Sequence, residues 1–128
     1  TEVWRILKFL PRMRSAWVFS EFFTDWIKEQ RNLSVYLIAD SEIHDPEAYE
    51  KYKEAAPKYV ARHGGEYCCR GGKFEVLVGD WNPTRLLVIK FPSRKAYDEF
   101  MTDPDYRPWK ELRESITTPK NILILEGV

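Results

Sequence analysis

The chain has 128 residues, of which 44% are hydrophobic and 31% are charged. This length and balance suit one globular domain and argue against global disorder. The formal net charge is zero, with 20 Lys and Arg residues against 20 Asp and Glu residues, so nothing in the overall charge indicates a nucleic-acid partner. No apolar run reaches the roughly 18 residues that a membrane span needs, so the sequence predicts no transmembrane segment.

The only cysteines are Cys68 and Cys69, which are adjacent. Adjacent residues of a strand point to opposite faces, so these two side chains are not expected to form a disulfide with each other. We expect two free thiols in a reducing compartment, each packed as a small buried hydrophobic side chain. This predicts an intracellular protein, with the cytoplasm as the first expectation and the mitochondrion as the alternative.

Residues 1–33 form an aromatic-rich extension with amphipathic helical periodicity. The extension holds seven of the nineteen aromatic residues, and six Lys or Arg against four acidic residues. Its basic beginning resembles a mitochondrial targeting segment. Large aromatic side chains at helical spacing also predict burial against the chain's own domain, a second copy, a larger assembly or a membrane surface. The candidate partner-binding residues are Trp4, Trp17, Phe22 and Trp26.

The remaining chain, residues 34–128, alternates strand and helix patterns. A dense apolar run begins it, and Asp45-Pro46 has the composition of a helix start, with Gly64 as the helix stop. Ser93 is the predicted cap of a later helix, which Asp103-Pro104 interrupts. The predicted strands are Val35–Ala39, Glu66–Arg70, Phe74–Val78, Arg85–Phe91 and Asn121–Leu125.

This order predicts an α+β, ferredoxin-like βαββαβ domain with an antiparallel sheet. Its central strands, the first one and Arg85–Phe91, are apolar on both faces. Helices cover one face of such a sheet, and a bare apolar second face is unfavourable. Either a partner subunit's sheet or the N-terminal helix is therefore expected to cover the second face.

Several short motifs suggest a family when they are taken in order. They are Tyr36–Ala39, Asp45–Tyr49, His63–Gly65, Arg70–Gly72, Gly79–Pro83, Phe91–Ser93 and Glu126–Val128. As a set spanning residues 34–128, they resemble the domain-of-unknown-function family 1330 (DUF1330), within the dimeric α/β-barrel superfamily. The resemblance implies a homodimer that pairs sheet to sheet. Relatives in that superfamily include cofactor-independent monooxygenases, polyketide cyclases and haem enzymes.

The candidate ligand-binding residues cluster around two sequence motifs. Arg70 and Arg85 flank the Gly-Gly bend and the Trp81 loop, and two guanidinium groups are suited to clamp a carboxylate or phosphate. Tyr52 and Arg113 are candidates for the same pocket. The alternative is structural: Arg70 and Arg85 would pair with Glu75, Asp80 or Glu126, and the tyrosine stripe of the first helix would be core.

The two histidines make a weak case for metal or haem chemistry. His63 follows the first long helix, where a cation complements the helix dipole, and His44 lies in the preceding loop. No ligand motif accompanies either residue. We therefore expect no metal and no cofactor, and the sequence assigns no catalytic residue.

Two functional hypotheses follow from these observations. In the first, the chain is a homodimeric small-molecule-binding protein or a cofactor-independent enzyme that acts on a small anionic organic ligand. In the second, it is a non-catalytic subunit of a larger assembly, docked through residues 1–33. A deep pocket near the arginines favours the first hypothesis, and a pocket filled by side chains favours the second.

Overall fold

The computed structural model describes residues 33–128. The extension's predicted helices, and with them Trp4, Trp17, Phe22 and Trp26, lie outside the described residues. The elements, in chain order, are β1 (Val35–Ile43), α1 (Pro46–Arg62), β2 (Glu66–Arg70), β3 (Leu86–Phe91), α2 (Arg94–Met101), α3 (Arg107–Ile116) and β4 (Thr117–Glu126).

The strands form one four-stranded antiparallel sheet in the order β2-β3-β1-β4. Leu37 in the centre of β1 lies opposite Ile89 of β3 and Ile124 of β4. The ferredoxin-like α+β prediction is confirmed, with the second helical segment divided into α2 and α3. No helix in residues 33–128 combines the length and the apolar character needed to cross a bilayer.

Local signals in the sequence account for the ends of the helices. The Asp45 carboxylate accepts a hydrogen bond from the Ala48 amide, and Pro46 occupies the first turn of α1. Ser93 caps α2 by accepting from the Ala96 amide at 3.1 Å. Gly64 has a φ of 74° just past the end of α1, a conformation that glycine adopts at little cost.

The core lies between the helices and one face of the sheet. Phe91 and Tyr106 are 0% exposed and Val60 is 1% exposed. Phe100 stacks on Tyr106, with ring centroids 4.3 Å apart. Burial of this aromatic group draws α1, α2 and α3 onto the same face of the sheet.

Phe74–Val78 was predicted to be a strand, and that prediction is wrong. The last backbone hydrogen bond at this end of β2 runs from the Gly71 amide to the Leu86 carbonyl. Leu86 is the first residue of β3, so β3 has no further backbone for Phe74–Val78 to pair with. Gly71, with a φ of 67°, turns the chain away from the sheet at this point.

The cysteines were predicted to be buried, and this prediction is also wrong. Cys68 and Cys69 are free thiols, and both are exposed. They belong to β2, which is an edge strand, and an irregularity interrupts its register between Tyr67 and Cys69. An edge strand with only one neighbour leaves such positions open to solvent.

A polar cluster joins the end of α1 to the turn between α2 and α3. Asp103 is 7% exposed. Its carboxylate accepts from His63 Nε2 at 2.8 Å and from Arg62 Nη1 at 3.1 Å. His63 is thus both the residue that caps α1 and a partner of this carboxylate. The hydrogen bond from His63, aided by those from the Asp105 amide and Arg62, lowers the pKa of Asp103 to about 2.

We predict that Asp103→Asn lowers the melting temperature at pH 7 and removes one component of acid denaturation. A depressed pKa stabilises the folded state above the ordinary value of 3.8, and this contribution is lost as the pH falls through about 2. Thermal unfolding between pH 7 and pH 2 measures both effects. Asp98→Asn is the control, because Asp98 pairs with Arg94 while more than half exposed. Equal effects of the two substitutions would contradict the role assigned to Asp103.

Candidate functional site

A cavity of about 480 Å³ lies between the sheet and the three helices. Its wall is mainly apolar, and its charged groups lie on α3 and just before β3. The lining residues are Leu37, Ala39, Ser41, Ile43, Tyr49, Tyr52, Arg85, Leu87, Tyr97, Met101, Lys110, Arg113, Glu114, Thr117, Pro119 and Ile122. An apolar cavity with a few convergent polar groups is the usual form of a small-molecule site.

Arg85 is a cation of the cavity wall that contacts both a tyrosine and the backbone. Its Nη1 atom donates to the Tyr49 hydroxyl at 2.9 Å, and its guanidinium carbon lies 5.0 Å from the centre of the Tyr49 ring. Burial raises the pKa of Tyr49, although Arg85 acts in the opposite direction, so this hydroxyl is neutral at pH 7. Gly71 packs against the same guanidinium, and an added Cβ would lie 2.8 Å from Arg85 Nε. Backbone and ring thus hold Arg85 on two sides.

Arg113 lies on α3, next to a buried pair of tyrosines. The Tyr52 and Tyr106 hydroxyls are 2.6 Å apart. Burial raises the pKa of Tyr106. Burial acts to lower the pKa of Arg113, but its neighbours Tyr106, Tyr52 and Glu114 raise that pKa overall. A charged guanidinium is therefore retained at the polar end of the cavity.

One carboxylate faces these cations. Glu114 lies 3.6 Å from Lys110 and 3.7 Å from Arg113, and the Glu114 side chain is 55% exposed. Both distances are long for ion pairs, and exposed pairs of this kind contribute little. Lys110, Arg113 and Arg85 thus bring three positive charges to the wall against a single, solvated negative charge.

The structure brings together Tyr52, Arg85 and Arg113 from the predicted set but leaves Arg70 outside the cavity wall. The Arg70 guanidinium donates to the Lys53 carbonyl and lies over the Tyr67 ring, 4.7 Å from its centre. Neither Arg70 nor Arg85 forms an ion pair with Glu75, Asp80 or Glu126, which was the structural alternative. Arg70 instead ties the edge strand to α1.

Trp81 also lies outside the cavity wall. Its indole nitrogen donates to Asp40 Oδ2 at 3.3 Å. Asp40 is 1% exposed, and its other oxygen accepts from the Thr84 and Arg85 amides at 2.8 and 3.1 Å. Burial acts to raise the pKa of Asp40, but these hydrogen bonds lower it overall. Asp40 therefore anchors the start of β3 as a carboxylate.

Sequence reasoning did not single out Asp40, Lys110 or Tyr97. A signal was present for Asp40, because it ends the apolar run of β1 at a position where solvent exposure is not expected. Lys110 and Tyr97 carry no comparable signal, since each occupies an ordinary helical position. Their place in the wall depends on how α2 and α3 cross the sheet.

The histidines lie away from the cavity wall. His44 bonds to the Thr118 hydroxyl, and His63 to Asp103. Within residues 33–128, no group of three or more His, Cys, Asp or Glu side chains is arranged to hold a metal ion.

The fold and the cavity together define a ferredoxin-like α+β domain with a cavity between its sheet and its helices. Residues 34–128 match the model of the Domain of unknown function (DUF1330), and the chain belongs to that family. The membership that the ordered motifs predicted is thereby confirmed.

Two crystal structures show the same fold. RPA0582, a protein of unknown function from Rhodopseudomonas palustris, is 21% identical, with a TM-score of 0.65 over 84% of this chain and 92% of that one. SnoaB, a cofactor-independent oxygenase from Streptomyces nogalater, is 13% identical, with a TM-score of 0.57 over 75% of this chain and 94% of that one. At sequence identities this low, the similarity shows a shared fold and nothing about a shared activity. No curated protein matches the sequence.

We predict that the Tyr52 and Tyr106 hydroxyls are energetically coupled. Tyr52→Phe or Tyr106→Phe alone leaves one buried hydroxyl without its partner and should cost about 1–3 kcal/mol of unfolding free energy. The double variant should lose clearly less unfolding free energy than the sum of the two single losses, because it removes both hydroxyls and leaves neither unpaired. Urea denaturation of the four proteins measures this coupling.

Tyr97→Phe is the matched control, since the Tyr97 hydroxyl has no hydrogen-bond partner in the described part of the chain and its ring lines the same cavity. The double variant Tyr97→Phe with Tyr106→Phe should lose an unfolding free energy equal to the sum of the two single losses. Additivity for the Tyr52 and Tyr106 pair as well would show that the 2.6 Å contact contributes nothing to stability.

Proposed function

We propose that this chain binds a small organic anion with a planar apolar body in the cavity between sheet and helices. The observation that carries the proposal is Arg85, a partly buried cation in the cavity wall that no carboxylate neutralises among the described residues. A ligand carboxylate would supply the missing charge.

An unpaired charge that is partly buried raises the free energy of the folded protein. A guanidinium withdrawn from water is unfavourable unless it is paired and hydrogen-bonded. Tyr49 provides one acceptor for Arg85 and leaves the other N–H groups free for a ligand. Because guanidinium is a planar fork, a carboxylate can accept two of those hydrogen bonds at once.

The apolar wall restricts the rest of the ligand. Leu37, Leu87 and Ile122 from the sheet face Met101 and Tyr97 from α2 across the cavity. The volume of about 480 Å³ lies within the usual range for drug-sized ligands. An aromatic acid of two fused rings has a suitable shape and size. A simple inorganic anion would leave the apolar wall without a partner.

We further propose that the protein functions as a homodimer, formed through the face of the sheet that α1, α2 and α3 do not cover. That face carries Leu123 and Leu125, which are 48% and 55% exposed. Membership of DUF1330, which the ordered motifs relate to the dimeric α/β-barrel superfamily, supports this proposal. A stable interface of this type buries on the order of 2,000 Å² or more.

The same site can serve a binding protein or a cofactor-independent enzyme. SnoaB is described as a cofactor-independent oxygenase, but a shared fold does not carry a shared reaction. Binding of the anion is the step common to both functions. The second hypothesis, a structural subunit docked through residues 1–33, rests on residues outside the described part of the chain.

We predict that the protein binds 2-naphthoate more tightly than the uncharged 2-naphthamide, and that Arg85→Lys abolishes most of this preference. Lysine keeps the charge but not the planar pair of donors. Loss of one such contact should weaken naphthoate binding by about 1.5–3 kcal/mol, or roughly ten- to a hundredfold. Isothermal titration calorimetry measures the four affinities.

Arg70→Lys is the matched control, because Arg70 lies outside the cavity wall and bonds to the Lys53 carbonyl. It should leave the naphthoate affinity unchanged. Equal affinities for naphthoate and naphthamide would refute the anion site at Arg85. So would an equal loss of naphthoate affinity in Arg85→Lys and Arg70→Lys.

A further inference from the structure

Every residue from 71 to 82 is exposed, and we call this segment the arm. Both of its ends are held: the Gly71 amide donates to the Leu86 carbonyl at 2.8 Å, and Trp81 bonds to Asp40. Pro83 follows the arm and is buried. The arm is therefore a projection with a defined base on the sheet.

The arm carries an unusual amount of exposed apolar surface. Leu77 is 82% exposed and Val78 is 92% exposed, and Phe74, Val76 and Trp81 lie between 42% and 51%. Single exposed apolar residues are normal, but a contiguous apolar stretch marks an interaction surface.

The backbone of the arm also lacks partners. Between Gly72 and Pro83, no backbone-to-backbone hydrogen bond is formed with any residue from 33 to 128. In an extended conformation, Phe74, Val76 and Val78 would share one side of the segment, with Glu75 and Leu77 on the other. Such a segment is suited to dock as an added strand, in which main-chain hydrogen bonds and alternate side chains are satisfied together.

The sheet offers a matching surface. β4 is the edge strand opposite β2 and pairs only with β1 in the described domain. We call the face of the sheet that α1, α2 and α3 do not cover the helix-free face. Leu123 and Leu125 of β4 lie on it with Ile38, which pairs with Leu123. One chain thus presents an unpaired apolar segment and, separately, an apolar face beside an unpaired edge.

We propose that the arm of each protomer docks on the helix-free face and β4 edge of a second copy of this chain. In two copies related by a twofold axis, each arm would contact the sheet of the other copy, so both arms and both sheets would be covered. This is the self-complementarity that a closed dimer requires. Charge supports the same occupant. Glu75 and Asp80 on the arm form no ion pair within residues 33–128, nor does Lys90, which lies on the helix-free face beside Tyr36.

This inference rests on the proposed homodimer but not on ligand binding, so the two can fail separately. The test is hydrogen–deuterium exchange of the full chain at concentrations above and below the dimer dissociation constant measured by sedimentation. The amides of residues 73–78 should be protected in the dimer and should exchange freely in the monomer.

Three results would overturn the proposal. A protein that stays monomeric at all accessible concentrations has no second copy to dock on. Unprotected arm amides in a dimer would show that the interface lies elsewhere. Protection that persists in the monomer would show that the chain covers its own arm.

The paired variant is Leu77→Ser with Val78→Ser. Both side chains are almost fully exposed in the protomer, so the melting temperature of the monomer should not change. Dimer dissociation should become more favourable by at least about a hundredfold, because each arm buries two aliphatic side chains in the proposed interface. Lys51→Ser, an exposed substitution on α1, is the control and should leave the dimer dissociation constant unchanged. An unchanged dissociation constant in the Leu77→Ser, Val78→Ser variant would overturn the proposal.

Discussion

The Asp40 carboxylate is the contact on which both faces of this domain depend. It accepts the Thr84 and Arg85 amides with one oxygen and the Trp81 indole with the other. These bonds determine where β3 begins. From that junction the Arg85 side chain reaches the cavity and the Tyr49 ring, while the arm projects from the opposite end of the same loop. A buried carboxylate with three N–H donors is well satisfied, so the junction holds its geometry.

The two faces of the sheet use apolar surface differently. On the helix side, Phe91, Val60 and Tyr106 are buried in the core, and the packing opens into a cavity where Arg85 and Arg113 lie. On the other side, Leu123 and Leu125 remain exposed because no described helix lies over them. We interpret the first face as the ligand site and the second as the dimer surface. Each interpretation follows from a group without a partner: a cation in one case, an apolar face in the other.

Much of the fold could be predicted because its signals are local. Asp45-Pro46, Ser93 and Gly64 mark helix ends through contacts within a few residues. Phe74–Val78 was misassigned because its strand propensity is real, whereas pairing depends on the backbone that a neighbour offers. That neighbour begins only at Leu86, which the local pattern cannot reveal.

The lining of the cavity was predicted in part for a similar reason. Tyr52, Arg85 and Arg113 were expected together and do line one cavity. Trp81 was grouped with Arg85 because the two are close in the sequence, but Asp40 holds Trp81 away from the cavity. Lys110 could not be identified, since its place depends on how α3 crosses the sheet rather than on its neighbours in the chain.

The central claim is that Arg85 receives the negative charge of a ligand inside the cavity. Crystals of the protein grown with 6-bromo-2-naphthoate test it most directly, because anomalous scattering locates the bromine independently of the protein atoms. The account predicts a bromine peak against the apolar wall near Met101 and Ile122, with the carboxylate on Arg85. A peak only at the protein surface, or a ligand in the cavity with its carboxylate directed away from Arg85, would contradict it.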